Sequence, residues 1–284
     1  MLNTAISLVT AATVMLSSLG LSGAAQDSGP SDSSVINCVN SAVECPVLTY
    51  HNFTQPGDGV KNGPWSCSIN KFESDIRTLI SSGYSFVSTY ELYLALNGRG
   101  TLPEKPVLIE FDDGYLTNYT LAFPILKRYN AKADIYVVTD RIDGDHSGLP
   151  AFDWDQAREM EQSGLVSIYL HGGSHDDATS FTPEQFRADH LYGWQRIEDE
   201  LGKRPFRPYV YPGGEYDLST LAVADACGDD MQFIWAWGWK TGAMDYPVYL
   251  RMNVSDTTDP VGQISAYFTF LERVRKKELG KQLP

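Results

Sequence analysis

The sequence predicts an α/β protein, a distorted (β/α) barrel of seven strands in a single domain. Three observations support this prediction. Segments with the patterns of strands and helices alternate six or seven times, which is typical of a parallel sheet. The 284 residues, less an N-terminal leader, have the length of one such barrel. No linker and no internal repeat divides the alternating part of the chain.

The N-terminal residues 1–25 are predicted to be a secretory signal. They carry no charged side chain, and an apolar stretch ends before the small residues Gly23, Ala24 and Ala25. A membrane anchor is the alternative, although the stretch is shorter than the roughly 20 apolar residues that a bilayer span requires. We therefore expect a secreted, periplasmic or otherwise extracellular protein with no membrane span after cleavage of the signal.

Residues 26–45, rich in Ser, Asp and Gly, are expected to form an N-terminal arm, and residues 46–284 to form the barrel. Apolar runs and periodicity predict its elements in order. The predicted strands are Pro46–Tyr50, Pro106–Phe111, Ala133–Val138, Leu165–Leu170, Arg207–Tyr211, Gln232–Trp237 and Val248–Asn253. The predicted helices are Asn70–Ser82, one that a Ser88–Glu91 capping box begins, Asn118–Tyr129, Asp153–Ser163, one from Thr182 to Gly202, Leu218–Cys227, and a last one to about Leu279.

The charge balance makes nucleic acid an unfavourable partner. The formal net charge is -14, from 22 Lys and Arg against 36 Asp and Glu, and such an excess repels phosphate backbones and anionic lipid surfaces. Hydrophobic residues make up 43% of the chain and charged residues 20%, so it can bury a core. Wholesale disorder, collagen and coiled coil are excluded.

Four cysteines, Cys38, Cys45, Cys67 and Cys227, agree with an exported chain in which disulfides persist. Four cysteines allow three complete pairings, and the sequence does not choose among them. No Cys-x-x-Cys pair indicates a zinc knuckle or a redox site. All four are therefore interpreted as structural or free.

Four polar clusters come directly after predicted strands. They are Tyr50-His51, Asp112-Asp113-Gly114, His171 with His175, and Tyr211-Pro212-Gly213-Gly214. The C-terminal ends of barrel strands share one side, where the active site lies, so these residues are expected to converge. Taken alone, each cluster has an ordinary interpretation as a turn, a buried histidine or a flexible loop. His146 and His190 lack this placement and are interpreted as structural.

These four clusters carry a family resemblance. The sequence resembles the polysaccharide deacetylase (NodB-homology) family of carbohydrate esterases at two motifs. These are Phe111-Asp112-Asp113-Gly114-Tyr115 after an apolar strand and the later pair His171-x-x-x-His175. Three further motifs resemble the branch that partially de-N-acetylates extracellular poly-N-acetylglucosamine in biofilms. They are Tyr50-His51-x-Phe53, Leu102-Pro103-x-Lys105-Pro106 and Tyr211-Pro212-x-Gly214. The resemblance covers about residues 46–278. It implies a hydrolase of non-peptide C–N amide bonds that acts on N-acetylglucosamine-containing exopolysaccharide.

The resemblance also implies a metal centre. Asp113, His171 and His175 would hold a divalent metal, with Zn²⁺ as the first choice and Co²⁺ or Ni²⁺ as alternatives. A metal in such a site polarises the substrate amide and activates water near neutral pH.

Four further residues receive catalytic roles from the resemblance. Asp112 would be the general base. No histidine follows His190, and in the biofilm branch the acid lies at the start of the domain as a circular permutation, so His51 would protonate the departing amine. The backbone N–H of Gly213 would stabilise the oxyanion. Arg251, in a last strand that resembles the branch's last motif, is expected to reach the base.

Three positions depart from the family's pattern. Gly172 follows the first metal histidine, where the family has Ser or Thr, so a hydrogen bond that fixes the loop is lost. Val210 replaces the arginine that commonly orients the base. Gly213 replaces an aromatic residue, and a widened or altered substrate groove is expected.

Aromatic residues are expected to contact the polysaccharide, whose N-acetylated amino sugars are the predicted binding partner. Trp235, Trp237 and Trp239 alternate along a predicted strand, so they lie on one side near the barrel mouth; core packing is the alternative. Tyr115 and Tyr211 are assigned to the same role.

Two other functions stay open at the level of sequence. The departures at Gly172, Val210 and Gly213 are compatible with an inactive deacetylase-like barrel that only binds glycans. A small-molecule amide hydrolase of the same fold is the second alternative. The presence of a base, an acid and three metal ligands favours the enzyme, because a binding protein does not need the acid.

Overall fold

The computed structural model describes residues 43–60, 63–146, 148–235 and 248–281. The predicted signal, most of the predicted arm, Cys38, Trp237 and Trp239 lie outside these residues, as does the side chain of Trp235.

Twelve strands are present in the described part of the chain. They are β1 (Val47–Tyr50), β2 (Asn52–Thr54), β3 (Ser66–Ser68), β4 (Ser85–Val87), β5 (Pro106–Asp113), β6 (Ala133–Val137), β7 (Asp145–His146), β8 (Leu149–Pro150), β9 (Val166–Leu170), β10 (Pro208–Val210), β11 (Met231–Trp235) and β12 (Val248–Asn253). Seven of them correspond to the seven predicted strands. The others have two or three residues each, too few to show a periodic pattern.

The seven predicted strands close into a parallel barrel. Their order is β1-β12-β11-β10-β9-β6-β5, and pairing of β1 with β5 closes the ring. Strand β4 pairs with the first half of β5, where Phe86 lies opposite Val107. The fold is therefore the predicted (β/α) barrel, with one additional short strand.

Seven α-helices accompany the described strands. They are α1 (Ile69–Ser81), α2 (Thr89–Leu96), α3 (Phe123–Tyr129), α4 (Trp154–Gln162), α5 (Pro183–Leu201), α6 (Leu218–Ala226) and α7 (Pro260–Lys281). The predicted capping box of α2 is present, since Ser88 and Glu91 satisfy each other's backbone N–H groups. The predicted helix Asn118–Tyr129 instead starts as a π-helical turn, Asn118–Ala122, before α3.

All eight residues of β5 are buried. Their side chains point alternately to the outside and to the inside of the barrel. Phe111 packs outside the barrel against Phe72 of α1, with ring centroids 5.6 Å apart. Its neighbours Glu110 and Asp112 both contact Arg251 of β12. Ionisable residues thus lie beside one another inside the barrel, below the C-terminal ends of the strands.

The three described cysteines, Cys45, Cys67 and Cys227, are buried and unbridged. Any complete pairing of four cysteines requires one bridge among these three, so a framework of two disulfides is not formed. Within the described ranges, no helix combines the length and the apolar character needed to cross a bilayer.

Candidate active site

The polar clusters predicted at the strand ends converge on one small cleft of about 130 Å³. It is lined by His51, Trp65, Asp112, Asp113, Tyr115, His171, His175 and Gly213. A larger groove of about 570 Å³ includes Pro106, at the opposite end of β5, but contains none of the predicted catalytic or metal-binding residues. The predicted catalytic and metal-binding residues therefore lie together on the C-terminal side of the barrel, as the strand-end rule predicts.

The two neighbouring aspartates differ in backbone conformation. Asp113 has a φ of 73°, in the left-handed region, which few non-glycine residues adopt. In a regular strand, successive side chains point to opposite faces. Because of the left-handed φ at the end of β5, Asp112 and Asp113 both line the cleft while they contact different partners.

Asp113 faces two histidines. Its Oδ1 lies 3.1 Å from Nε2 of His175 and 3.8 Å from Nε2 of His171. One donor atom from each of the three residues lies within 4.8 Å of the other two. Two imidazoles and one carboxylate form a donor set that fits Zn²⁺, Co²⁺ or Ni²⁺. These residues therefore constitute a possible metal site.

A backbone carbonyl orients His171. Its Nδ1 lies 2.8 Å from the carbonyl oxygen of Val210, which accepts a hydrogen bond from a protonated Nδ1 and leaves Nε2 facing Asp113. Hydrogen bonds of this kind orient metal-binding histidines. Val210, which occupies the position of the family's arginine, thus contributes to the site through its main chain.

Burial and neighbouring charges set the protonation states of His171 and Asp113. Burial lowers the pKa of His171 to about 4, so the imidazole is neutral at pH 7 and able to bind a metal. Burial alone would raise the pKa of Asp113, but His175 and His171 outweigh it and hold that pKa below its usual range. Both residues are thus in the form that binds a cation.

Asp112 is held by Arg251 through two hydrogen bonds. Nη1 and Nη2 donate to Oδ1 and Oδ2 at 2.8 and 2.9 Å, and Nη1 also donates to Oε2 of Glu110 at 3.2 Å. Burial would raise the pKa of Asp112, but Arg251, together with His171 and His51, lowers it below the ordinary value. The arrangement keeps Asp112 an anion with a fixed orientation, as a general base requires.

His51 reaches the cleft from the end of β1. Its Nε2 lies 3.8 Å from Oδ2 of Asp112, and its backbone carbonyl accepts a hydrogen bond from Asn118 Nδ2 at 2.8 Å. Burial lowers the pKa of His51, although Asp112 and Asp113 oppose this effect. A proton on this imidazole is therefore readily given up to a basic leaving group.

The remaining predicted residues are placed as follows. Tyr115 lines the cleft, where burial and the Asp113 carboxylate raise its pKa. Gly213 has a φ of 63°, and a Cβ there would meet nothing within 4 Å, so the cleft is open at this point. Tyr211 does not reach the cleft: it is fully buried, and its hydroxyl donates to Gln232 at 2.6 Å, so the expected substrate contact does not fit its position.

His190 also lies away from the cleft. Its Nε2 is 2.9 Å from Asp229 Oδ1, and both side chains are fully buried. The side chain of His146 is not described.

One cleft residue had no signal in the sequence. Trp65 precedes β3 and is 51% exposed, with its ring centroid 4.9 Å from that of His51. Its carbonyl accepts a hydrogen bond from the Asn52 N–H at 3.1 Å, which fixes its backbone beside β2. Only a lone tryptophan is visible in the sequence, because its approach to His51 depends on the fold.

A closed (β/α) barrel with an Asp-Asp pair and two histidines at its strand ends agrees with the polysaccharide deacetylase resemblance of the sequence. Residues 99–231 match the family model for polysaccharide deacetylase. This part of the chain therefore matches a polysaccharide deacetylase (NodB-homology) domain, and that family supports an amide-bond hydrolase.

Three similar proteins agree with this assignment. YxkH of Bacillus subtilis (strain 168) is 31% identical over 186 residues, 66% of this chain and 62% of YxkH. The poly-beta-1,6-N-acetyl-D-glucosamine N-deacetylase of Staphylococcus aureus (strain MSSA476) is 32% identical over 118 residues, 41% of this chain and 39% of that protein. The solved structure of IcaB from Ammonifex degensii, 26% identical, matches 78% of this chain and 96% of its own with a TM-score of 0.65. The chain thus spans less than two thirds of these two curated relatives.

Proposed function

We propose that this chain is a secreted, metal-dependent de-N-acetylase that acts on N-acetylglucosamine-containing polysaccharide. The observation that carries the proposal is that the adjacent residues Asp112 and Asp113 contact different partners. Asp113 faces His171 and His175, whereas Asp112 is held by Arg251 beside His51. A metal ligand, a base and an acid are therefore present in one cleft as separate groups.

The ligand set of Asp113, His171 and His175 would hold the divalent metal. When bound there, the cation would supply Lewis acidity to the acetamido carbonyl and to water. Zn²⁺ is the metal we propose first, because two imidazoles and one carboxylate are common ligands of catalytic zinc.

The protein groups account for the proton transfers. Asp112 accepts a proton from the attacking water, since Arg251 keeps the carboxylate charged and oriented. His51 donates a proton to the departing amine, and the Gly213 N–H stabilises the negative charge that develops on the carbonyl oxygen. The products are acetate and a free amino sugar.

The proposed substrate class rests on similarity to a relative and on an exposed tryptophan at the cleft. The Staphylococcus aureus relative is named for poly-beta-1,6-N-acetyl-D-glucosamine, and an exopolysaccharide of this type is the substrate that we propose. Exposed Trp65 provides an apolar ring surface beside His51, on which we propose that a sugar ring packs. Secretion is proposed from the composition of residues 1–25 alone.

Acetate release from a panel of substrates tests this function. The purified protein would be stripped with a chelator and reloaded with Zn²⁺, Co²⁺ or Ni²⁺, then incubated with poly-β-1,6-N-acetylglucosamine, chitin oligomers and small acetamides. We expect acetate from the polymers only with metal present. Glycan binding without acetate would indicate an inactive binding barrel, and acetate from small acetamides alone would indicate a small-molecule hydrolase.

A further inference from the structure

We infer that Asp189 of α5 is a positioning residue for the loop His171–His175, which we call the histidine loop. This inference rests on the proposed function, because the two histidines of the loop are proposed metal ligands. In this inference, the Asp189 side chain fixes the position of one of the two loop histidines.

The Asp189 carboxylate accepts two hydrogen bonds from successive backbone groups of the histidine loop. The N–H of Gly173 donates to Oδ2 at 3.0 Å, and the N–H of Ser174 donates to Oδ1 at 2.8 Å. Both carboxylate oxygens are thereby used, so the carboxylate fixes the loop in position and in orientation.

The opposite edge of the loop is held by the segment after β6. The carbonyls of Gly172 and Gly173 accept hydrogen bonds from the N–H groups of Thr139 and Asp140 at 3.2 and 3.0 Å. Tyr192 of α5 in turn donates to Asp140 Oδ1 at 2.8 Å. The loop therefore lies between β6 and α5, and Asp189 supplies its contact on the helix side.

The packing between α5 and the loop leaves no room for side chains. A Cβ on Gly173 would lie 2.8 Å from Asp189 Oδ1, and one on Gly193 would lie 3.2 Å from the nitrogen of Gly173. Such a close approach brings the short Asp189 side chain within reach of the loop backbone. The glycines and the aspartate are thus parts of a single arrangement.

This arrangement accounts for the departure at Gly172. The family's Ser or Thr at this position would fix the loop through its hydroxyl. Gly172 has a φ of 98°, and a Cβ there would lie 2.5 Å from the Ser174 carbonyl oxygen. The side chain that is missing at 172 is replaced by the carboxylate of Asp189, which binds the next two residues.

The two metal histidines depend on the loop to different degrees. His171 is held independently by the Val210 carbonyl and has a buried ring. The His175 side chain is 24% exposed and follows Ser174, whose N–H is bound to Asp189. Loss of the carboxylate should therefore displace His175 more than His171 and weaken the metal site.

Metal affinity measures this effect without reference to turnover. Asp189→Ala, Asp189→Asn and the full-length wild-type chain would be titrated with Zn²⁺ against a competing chelator, and with Co²⁺ while the visible absorption is recorded. We expect the Kd for Zn²⁺ to rise about tenfold or more in Asp189→Ala, within the usual range for groups that orient metal ligands. The Kd of Asp189→Asn should lie between those of wild type and Asp189→Ala, because the asparagine amide keeps one hydrogen-bond acceptor.

Asp199→Asn is the matched control. It removes the same charge from the same helix, but Asp199 is exposed and accepts its hydrogen bond from Gln195. Its Kd should equal that of wild type. If Asp189→Ala folds poorly, the Asp189→Asn protein answers the question, and the Tm of each apo protein separates global instability from loss of metal.

Wild-type affinity and an unchanged Co²⁺ spectrum in the Asp189 variants would overturn the inference and leave the proposed function intact. A wild-type protein that binds no metal at all would overturn both. The two failures are therefore distinguishable within one experiment.

Discussion

Adjacent carboxylates in the cleft differ in charge environment because their partners differ. Arg251 binds both oxygens of Asp112, whereas Asp113 faces His171 and His175. The left-handed backbone of Asp113 makes this possible, since a regular strand would place the second carboxylate on the other face. Functional sites often contain a residue that is held in an unfavourable φ region, as Asp113 is here.

The role of His51 can be tested with two substrates. His51→Ala should keep the fold and the metal but lower turnover of an N-acetylated glycan by roughly two to four orders of magnitude, because the amine leaves poorly unless it is protonated. An activated aryl acetate has a good leaving group and should lose much less. Initial rates on both substrates make the comparison, and a uniform loss would indicate misfolding.

A wild-type rate on the glycan would show that another group protonates the amine. The Tm of His190→Gln can be compared with that of His51→Ala, since His190 is a buried histidine outside the cleft.

Glu110 is expected to make stability depend on pH. It is fully buried beside Arg251, Asp112, Asp134 and Tyr136, and burial raises its pKa from 4.5 to about 8. Because the folded pKa lies above the unfolded one, the stabilising contribution is complete below about pH 4.5 and is lost as the pH rises towards 8.

Glu110→Gln removes this titration. The decline of Tm between pH 5 and pH 8, followed by circular dichroism, should therefore be smaller in Glu110→Gln than in wild type. Glu104→Gln, at an exposed position, is the control and should retain the wild-type slope. An identical slope in Glu110→Gln and wild type would contradict the assignment.

Among the elements, the histidine loop shows why a family-typical residue can be unfavourable here. Restoring serine at position 172 would place a Cβ 2.5 Å from the Ser174 carbonyl oxygen, on a backbone with a φ of 98°. We expect Gly172→Ser to bind Zn²⁺ less tightly than wild type and to melt at a lower temperature. Tighter metal binding in this variant would mean that the serine hydroxyl, and not Asp189, is the better support for the loop.

Long elements, capped elements and strands within an apolar run could be predicted from the sequence, whereas the other two- and three-residue strands could not. The bounds of β12 agree with the prediction, and α5 begins after Thr182 and ends before Gly202 as predicted, because capping residues mark both ends. Strand β4 has three residues that range from exposed to buried, so it lacks the apolar run of a barrel strand. The strand pattern of β5 stopped at Phe111, whereas the strand continues through both aspartates.

The same distinction applies to the site. Residues that directly follow apolar strands could be predicted, because barrel geometry brings strand ends together. Trp65 and Asp189 could not, since one lies in a short connection and the other on a helix, and both reach the cleft or its loop through tertiary packing.

For the molecule as a whole, closure of the barrel between β1 and β5 assembles the site. Tyr50 lies opposite Phe111 in that pairing, so the next residues, His51 and Asp112, emerge side by side. On the other side of β1, Leu48 lies opposite Met252 of β12, which brings Arg251 to the same region. The proposed acid His51, the proposed base Asp112 and Arg251 therefore lie on or directly after three adjacent strands that are remote in sequence.

Metal content and turnover, measured on the same protein samples, test the central claim most directly. Bound metal per chain and the rate of acetate release from poly-β-1,6-N-acetylglucosamine would both be measured for wild type, Asp112→Asn and Asp113→Asn. We predict that Asp112→Asn retains nearly full metal content but loses roughly a hundredfold or more in rate, as expected for a missing general base, whereas Asp113→Asn loses the metal itself. Wild-type turnover in Asp112→Asn, or equal loss of metal in both variants, would contradict the assignment of separate roles to the two aspartates.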